Sequence, residues 1–139
     1  MWQYYAILSA VFAALTAVLA KAGVRGMDSD LATAIRTAVV LCITWGIVLV
    51  GGKTGAIGGI GRTNWLFLVL SGVATGLSWL FYFKALQLGE ASKVAPVDKL
   101  SVVFTILLSW LVLREPVSWR VVLGGCLIAV GSIVILSGK

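Results

Sequence analysis

Five long apolar stretches constrain this chain more than any other feature of its sequence. Each is rich in Leu, Val, Ile and Ala, and only short polar or glycine-rich segments separate one from the next. A helix rises about 1.5 Å per residue, so stretches of this length can cross a hydrocarbon core of about 30 Å. The pattern predicts an all-α membrane protein with five transmembrane helices. The stretches, called the first to fifth segments below, cover residues 3–20, 31–50, 64–86, 96–113 and 119–137.

Composition supports the membrane and argues against other classes. Hydrophobic residues make up 60% of the 139 residues, so a water-soluble fold would expose much of its Leu, Val and Ile. The net charge is +6, but the basic residues are scattered through the turns and form no patch. They indicate anchors beside the bilayer, and we expect no nucleic-acid partner.

The sequence contains no catalytic constellation. It has no His, and its two cysteines, Cys42 and Cys126, lie inside apolar segments without CxxC spacing. No pair of carboxylates shares a helix face in the membrane. We therefore expect no enzyme activity, no metal, no cofactor and no disulfide.

Connecting segments carry the predicted turns. The glycine-rich residues 51–61 are expected to be a flexible surface loop, because their Gly-Lys-Thr lies where a phosphate-binding loop would not place it. Residues 87–95 are expected to be a loop, with Pro96 starting the fourth helix. Glu115 and Pro116 mark the shortest turn, so the fourth and fifth helices should form an antiparallel hairpin.

Small residues predict close helix contacts, within the chain or between two copies, because a second helix can approach closely where side chains are small. The glycines concerned are Gly72 and Gly76 in the third segment and Gly124, Gly125 and Gly131 in the fifth.

The second half of the chain resembles a known family. It reads Ala-Leu-Gln-Leu-Gly-Glu-Ala-Ser-Lys-Val-Ala-Pro at 85–96, Leu-Arg-Glu-Pro-Val at 113–117 and Gly-Gly-Cys-Leu-Ile-Ala-Val-Gly at 124–131. This ordered combination is similar to the EamA domain of the drug/metabolite transporter superfamily. The resemblance covers essentially all of residues 1–139 as one five-helix domain.

The resemblance implies a secondary transporter, expected to export a small metabolite or drug-like molecule across a bacterial or archaeal plasma membrane. Typical members carry two five-helix units, the second inverted, whereas this chain holds one. The comparison thus implies a homodimer working by alternating access, parallel or antiparallel as in the related small multidrug resistance proteins. Those have an acid in their first helix, which this first segment lacks, so their coupling mechanism is not carried over. The alternative is a non-transporting subunit or scaffold for another half-sized membrane protein.

Four ionisable residues fall inside apolar segments: Arg36, Lys84, Asp98 and Lys99. Burying a charge in a bilayer costs about 2.5 to 3.5 kcal/mol on insertion scales. Because consecutive helices alternate direction, all four lie near one membrane face and could meet in one vestibule.

Two interpretations of these charges stay open. In the first, Asp98 binds a proton or cation, and the basic excess attracts an anionic or zwitterionic substrate. In the second, Lys84 and Lys99 extend to the headgroups, while Asp98 caps the fourth helix and pairs with Arg36. The residues alone select neither a substrate nor a coupling ion.

Polar and aromatic residues extend the candidate site. Ser101 and Thr105 continue a stripe from Asp98 towards Ser109, which we interpret as pore lining, with hydrogen bonding between helices as the alternative. In the third segment, Trp79 and Tyr82 are candidate substrate-facing aromatics, and core packing explains them equally well. Glu115 is assigned to folding, not to transport.

The distribution of Lys and Arg predicts an ambiguous orientation. Four lie on the N-terminal face and seven on the opposite face, which favours an outside N-terminus. If Arg36, Lys84 and Lys99 belong to the interior, the second count falls to four and the bias disappears. We therefore expect some chains to insert each way.

Overall fold

The computed structural model describes residues 1–138 and is helical along most of that length; Lys139, counted above among the basic residues, lies outside this range. Five helical spans are long and apolar enough to cross a membrane. One of them, Ala91–Leu113, combines two short helices and a π-helical turn. The predicted fold class and the number of spans are confirmed. The α-helices are α1 Trp2–Gly23, α2 Ser29–Val50, α3 Arg62–Leu88, α4 Ala91–Asp98, α5 Ser101–Leu108 and α6 Trp119–Ser137.

The start of α2 follows a local sequence signal. Asp28 is the N-cap, and its Oδ1 accepts hydrogen bonds from the backbone N–H groups of Asp30, at 2.9 Å, and Leu31, at 3.1 Å. Two N–H groups that have no partner inside the helix are thereby satisfied. α2 begins at Ser29, two residues before the predicted segment.

The glycine-rich connector is more regular than predicted. It forms a 3-10 helix over Lys53–Gly59, all of it exposed. Gly52 precedes this helix with φ 63°, a left-handed conformation that glycine adopts without steric cost. The predicted surface position is confirmed, the 3-10 helix was not foreseen, and the predicted flexibility stays a prediction.

The fourth span begins earlier than predicted. α3 continues to Leu88 and α4 begins at Ala91, so residues 87–95 are mostly helical. Pro96 is consequently the sixth residue of α4, and the prediction that it starts the helix was wrong. Asp98 is the last residue of α4, so the interpretation of Asp98 as a helix cap at its start was also wrong.

Pro96 explains why α4 is short. It has no N–H to donate to the carbonyl of Ser92, one turn earlier. After Pro96 the backbone forms a tighter turn, in which each N–H donates to the carbonyl three residues earlier. The N–H of Lys99 donates to Pro96 and that of Leu100 to Val97, both at 3.0 Å. The α-helical pattern resumes only at Ser101.

The chain divides into two compact units, one of residues 1–21 with residues 88 onward and one of residues 22–87. In the first unit, α6 packs against α4 and α5. The connecting turn reverses at Arg114, which has φ 55°, while the N–H of Glu115 donates to the carbonyl of Ser109 at 3.2 Å. The turn containing Glu115 and Pro116 therefore closes the predicted hairpin.

In the second unit, the buried residues lie at one end. Leu86, Val24 and Ser29 are at most 1% exposed, and they belong to the end of α3, the turn before α2 and the start of α2. Gln87 Nε2 fastens this end by donating to the carbonyl of Met27 at 3.0 Å. Toward their other ends, α2 and α3 expose apolar side chains to the surroundings, as helices in lipid do.

Candidate functional site

A charged pair lies at the break inside the fourth span. Asp98 Oδ2 is 3.8 Å from Lys99 Nζ, and the two side chains are 41% and 55% exposed. Because α4 begins at Ala91, Asp98 lies about 10 Å along the span rather than at its start. The break therefore places two charges inside the helical span and not at its first residues.

The electrostatics of this position are unusual for a carboxylate. The C-terminal end of a helix carries partial negative charge, which disfavours another negative group there. Lys99 offsets part of that cost. Irregular backbone at membrane depth is tolerated only where protein or water surrounds it. The break of the fourth span is consequently suited to contact with water, an ion or a polar solute.

Ser132 of α6 holds the break in place. Its Oγ donates to the carbonyl of Pro96 at 2.9 Å, and Ser132 is 3% exposed. The same carbonyl accepts the N–H of Lys99. Ser132 was not among the residues predicted from the sequence; the signal for it was the seven-residue spacing from Gly125, the other buried residue of α6.

The predicted polar stripe is accessible near the break. Ser101 and Thr105 are exposed, and Ser109 is half-buried. Thr105 Oγ1 donates to the carbonyl of Ser101 at 2.8 Å, so its hydrogen bond lies within its own helix. The Thr105 hydroxyl therefore needs no neighbouring helix as partner, and pore lining stays a prediction.

The second unit contains a cation–aromatic cluster. Arg36 Cζ of α2 lies 4.1 Å from the centroid of the Trp79 ring and 5.5 Å from that of Phe83. Trp79 and Phe83 are four residues apart, so they share one face of α3. Tyr82 meets Phe83 edge-on, with centroids 6.4 Å apart. Arg36, Trp79 and Tyr82 were predicted as site residues from the sequence. The stacking of Arg36 and its contact with Phe83 were not predicted.

Lys84 lies apart from this stacking. It is exposed, and its Nζ donates to Gln87 Oε1 at 3.4 Å. The structure thus brings Asp98 together with Lys99, and Arg36 together with two aromatic rings. The meeting of all four charges in one vestibule, and the pairing of Asp98 with Arg36, stay predictions.

One predicted packing glycine makes a close contact within the chain. A Cβ added at Gly125 would lie 2.8 Å from Ile106 Cδ1 of α5. A Cβ at the other four glycines would meet nothing within 4 Å, so the predicted close contacts there stay predictions. Those four are Gly72, Gly76, Gly124 and Gly131.

Five apolar spans, one of them broken at a charged pair, define a multi-pass membrane protein. Residues 1–137 match the EamA-like transporter family, and the chain belongs to that family. The predicted resemblance is thereby confirmed, and the chain is a membrane transporter rather than an enzyme.

A similar protein comes from a Sinorhizobium species and is named "uncharacterized transporter in cobO 3'region". It is 50% identical over 134 residues, which cover 96% of this chain and 95% of that protein. No solved structure matches the chain.

Proposed function

We propose that this protein is a secondary transporter that exports a small metabolite or drug-like molecule by alternating access. The break of Ala91–Leu113 at Asp98 and Lys99 is the observation that supports this function most. In secondary transporters, interrupted helices form solute and ion sites, because their broken ends present backbone groups and dipoles within the membrane. Bacterial or archaeal plasma membrane is the proposed location.

The working unit is proposed to be a homodimer. Alternating access in this kind of fold uses two inverted halves around a central site, and this chain supplies one five-helix half. The Sinorhizobium relative, which is named a transporter, is matched over 95% of its length by the same unit. A second copy would complete the pathway.

Reconstitution tests the function. The purified protein would be placed alone in liposomes that contain a pH-sensitive dye, and a panel of small organic acids, amines and drug-like cations would be added across an imposed pH gradient. We expect at least one solute to move protons or to be transported without another protein. Activity that appears only after a second half-sized membrane protein is added would favour the subunit alternative.

Reporter fusions test the orientation. Fusions of cytoplasmic and external reporters to the C-terminus should both give signal, because the basic residues outside the candidate interior are balanced between the two faces. A single Lys added to one connecting turn should shift the ratio. Signal from one side only, persisting after such additions, would reject dual insertion.

Two glycine positions of α6 test the dimer. Gly124→Leu and Gly131→Leu place bulk where this chain itself leaves open space, so the fold of one copy should survive while close approach of a second is blocked. We expect a shift from dimer to monomer in size-exclusion chromatography with light scattering. Gly124→Ala and Gly131→Ala are the matched controls. An unchanged dimer in both Leu variants would count against a dimer contact at Gly124 and Gly131.

A further inference from the structure

The guanidinium of Arg36 has aromatic neighbours but no anionic one. It is half-buried, roughly 10 Å along α2 from Ser29, over the rings of Trp79 and Phe83. Tyr82 is a further electrostatic neighbour of the guanidinium, and among residues 1–138 no carboxylate lies within 4.0 Å of its nitrogens. A permanent positive charge in a membrane-spanning helix therefore lacks a counter-charge from the protein.

Stacking leaves the hydrogen-bonding capacity of Arg36 unused. An aromatic face attracts the positive charge through its quadrupole. The five N–H donors of a guanidinium, however, point outward in its own plane, as a rigid fork. That fork matches the two oxygens of a carboxylate, which it binds through two parallel hydrogen bonds.

We propose that Arg36, supported by Trp79 and Phe83, binds the carboxylate of the transported solute. The inference rests on the proposed transport function and adds the chemical class of its substrate. One guanidinium balances one negative charge, which suits a monoanionic carboxylate better than a phosphate dianion. The rings of Trp79, Tyr82 and Phe83 provide an apolar surface for the rest of the molecule. The substrate class is thus an apolar or aromatic carboxylic acid.

A lipid phosphate is the competing source of negative charge, because Arg side chains within the outer part of a membrane can extend to headgroups. The experiment therefore compares a soluble carboxylate with a lipid. The probe is cyclohexanecarboxylate, which has an apolar ring and does not absorb where tryptophan does. Its neutral counterpart is cyclohexanecarboxamide.

The protein would be purified in dodecyl maltoside, which carries no phosphate, and tryptophan emission would be followed as each probe is added. We expect a saturable change with the carboxylate and none with the carboxamide. Arg36→Gln should weaken binding about tenfold or more, because the ion pair and its hydrogen bonds are lost. Trp79→Phe keeps an aromatic ring but should abolish the emission change.

Two further variants separate charge from geometry. Arg36→Lys keeps the positive charge but not the fork, and should bind several-fold more weakly than the wild type. If Arg36→Gln does not fold, the affinity of Arg36→Lys for the carboxylate tests the proposal in its place. Arg25→Gln removes one positive charge at an exposed position before α2 and should bind normally.

Three results would overturn the proposal. The first is equal affinity for the carboxylate and the carboxamide, and the second is full affinity in both Arg36 variants. The third is an Arg36-dependent response to added phosphatidylglycerol or inorganic phosphate without one to the carboxylate. Because binding in micelles needs no gradient, failure of transport with intact binding would refute the transport function alone. Transport of other solutes without carboxylate binding would refute only the substrate class.

Discussion

Replacing Asp98 with Asn should abolish gradient-driven transport and leave the protein folded and assembled. Asp98 lies at the break of the fourth span, accessible and paired only with its neighbour Lys99 among residues 1–138. A carboxylate at that position can bind and release a proton or cation, whereas an amide of the same shape cannot. Flux in proteoliposomes under an imposed pH gradient should fall to the level of empty liposomes.

Two variants serve as comparisons for Asp98→Asn. Glu90→Gln removes the same charge one residue before α4, where Glu90 is exposed and 3.5 Å from Lys93, and should transport normally. Lys99→Gln should change apparent affinity or pH dependence more mildly. Normal gradient-driven transport by Asp98→Asn would remove Asp98 from coupling. Loss of folded protein in that variant would support a structural pairing instead.

Replacing Gly125 with Leu should strongly destabilise the first unit. A Cβ at Gly125 already lies 2.8 Å from Ile106 Cδ1, the flexible end of that side chain, so Ala should be accommodated by a small shift. Leu adds three more carbons between α6 and α5, and overpacking of this kind typically costs about 1 to 3 kcal/mol. Displacing α6 would also break the hydrogen bond from Ser132 to Pro96, worth about 0.5 to 1.5 kcal/mol.

The measurement is the melting temperature in detergent, followed by tryptophan emission or by retention of the folded peak in size-exclusion chromatography. Gly125→Ala is the matched control, because it adds the Cβ alone, which a small shift of Ile106 Cδ1 accommodates. Adding Ile106→Ala to Gly125→Leu should recover part of the lost stability by making room. An unchanged melting temperature in Gly125→Leu would show that α5 and α6 are not in close contact in the folded protein.

Hydropathy predicted the five spans, because it depends on residues that are neighbours in sequence. The start of the fourth span was mispredicted because Pro96 is compatible with the first turn of a helix or with its interior. Hydropathy, averaged over a window, does not register a break of two residues. The interior placement is accompanied by a hydrogen bond from Ser132, 36 residues away, which no local pattern reveals.

The candidate site was likewise predicted only where it depends on local sequence. Ionisable residues inside apolar segments are visible in the sequence, and Arg36, Asp98 and Lys99 were selected on that basis. The stacking of Arg36 on Trp79 depends on how α2 and α3 are rotated about their axes. Sequence spacing fixes which residues share a face of one helix, but not which faces of two helices meet.

The one-sided core of the second unit bears on its mechanics. No residue of α2 after Thr33 and none of α3 before Phe83 is buried within residues 1–138. The buried contacts of this helix pair therefore lie at one end, and the spacing of the far ends is not fixed by buried side chains of α2 and α3. Lateral pressure in the bilayer acts directly on that spacing. We therefore expect acyl chain length and membrane tension to change the spacing of these far ends more than that of the packed end.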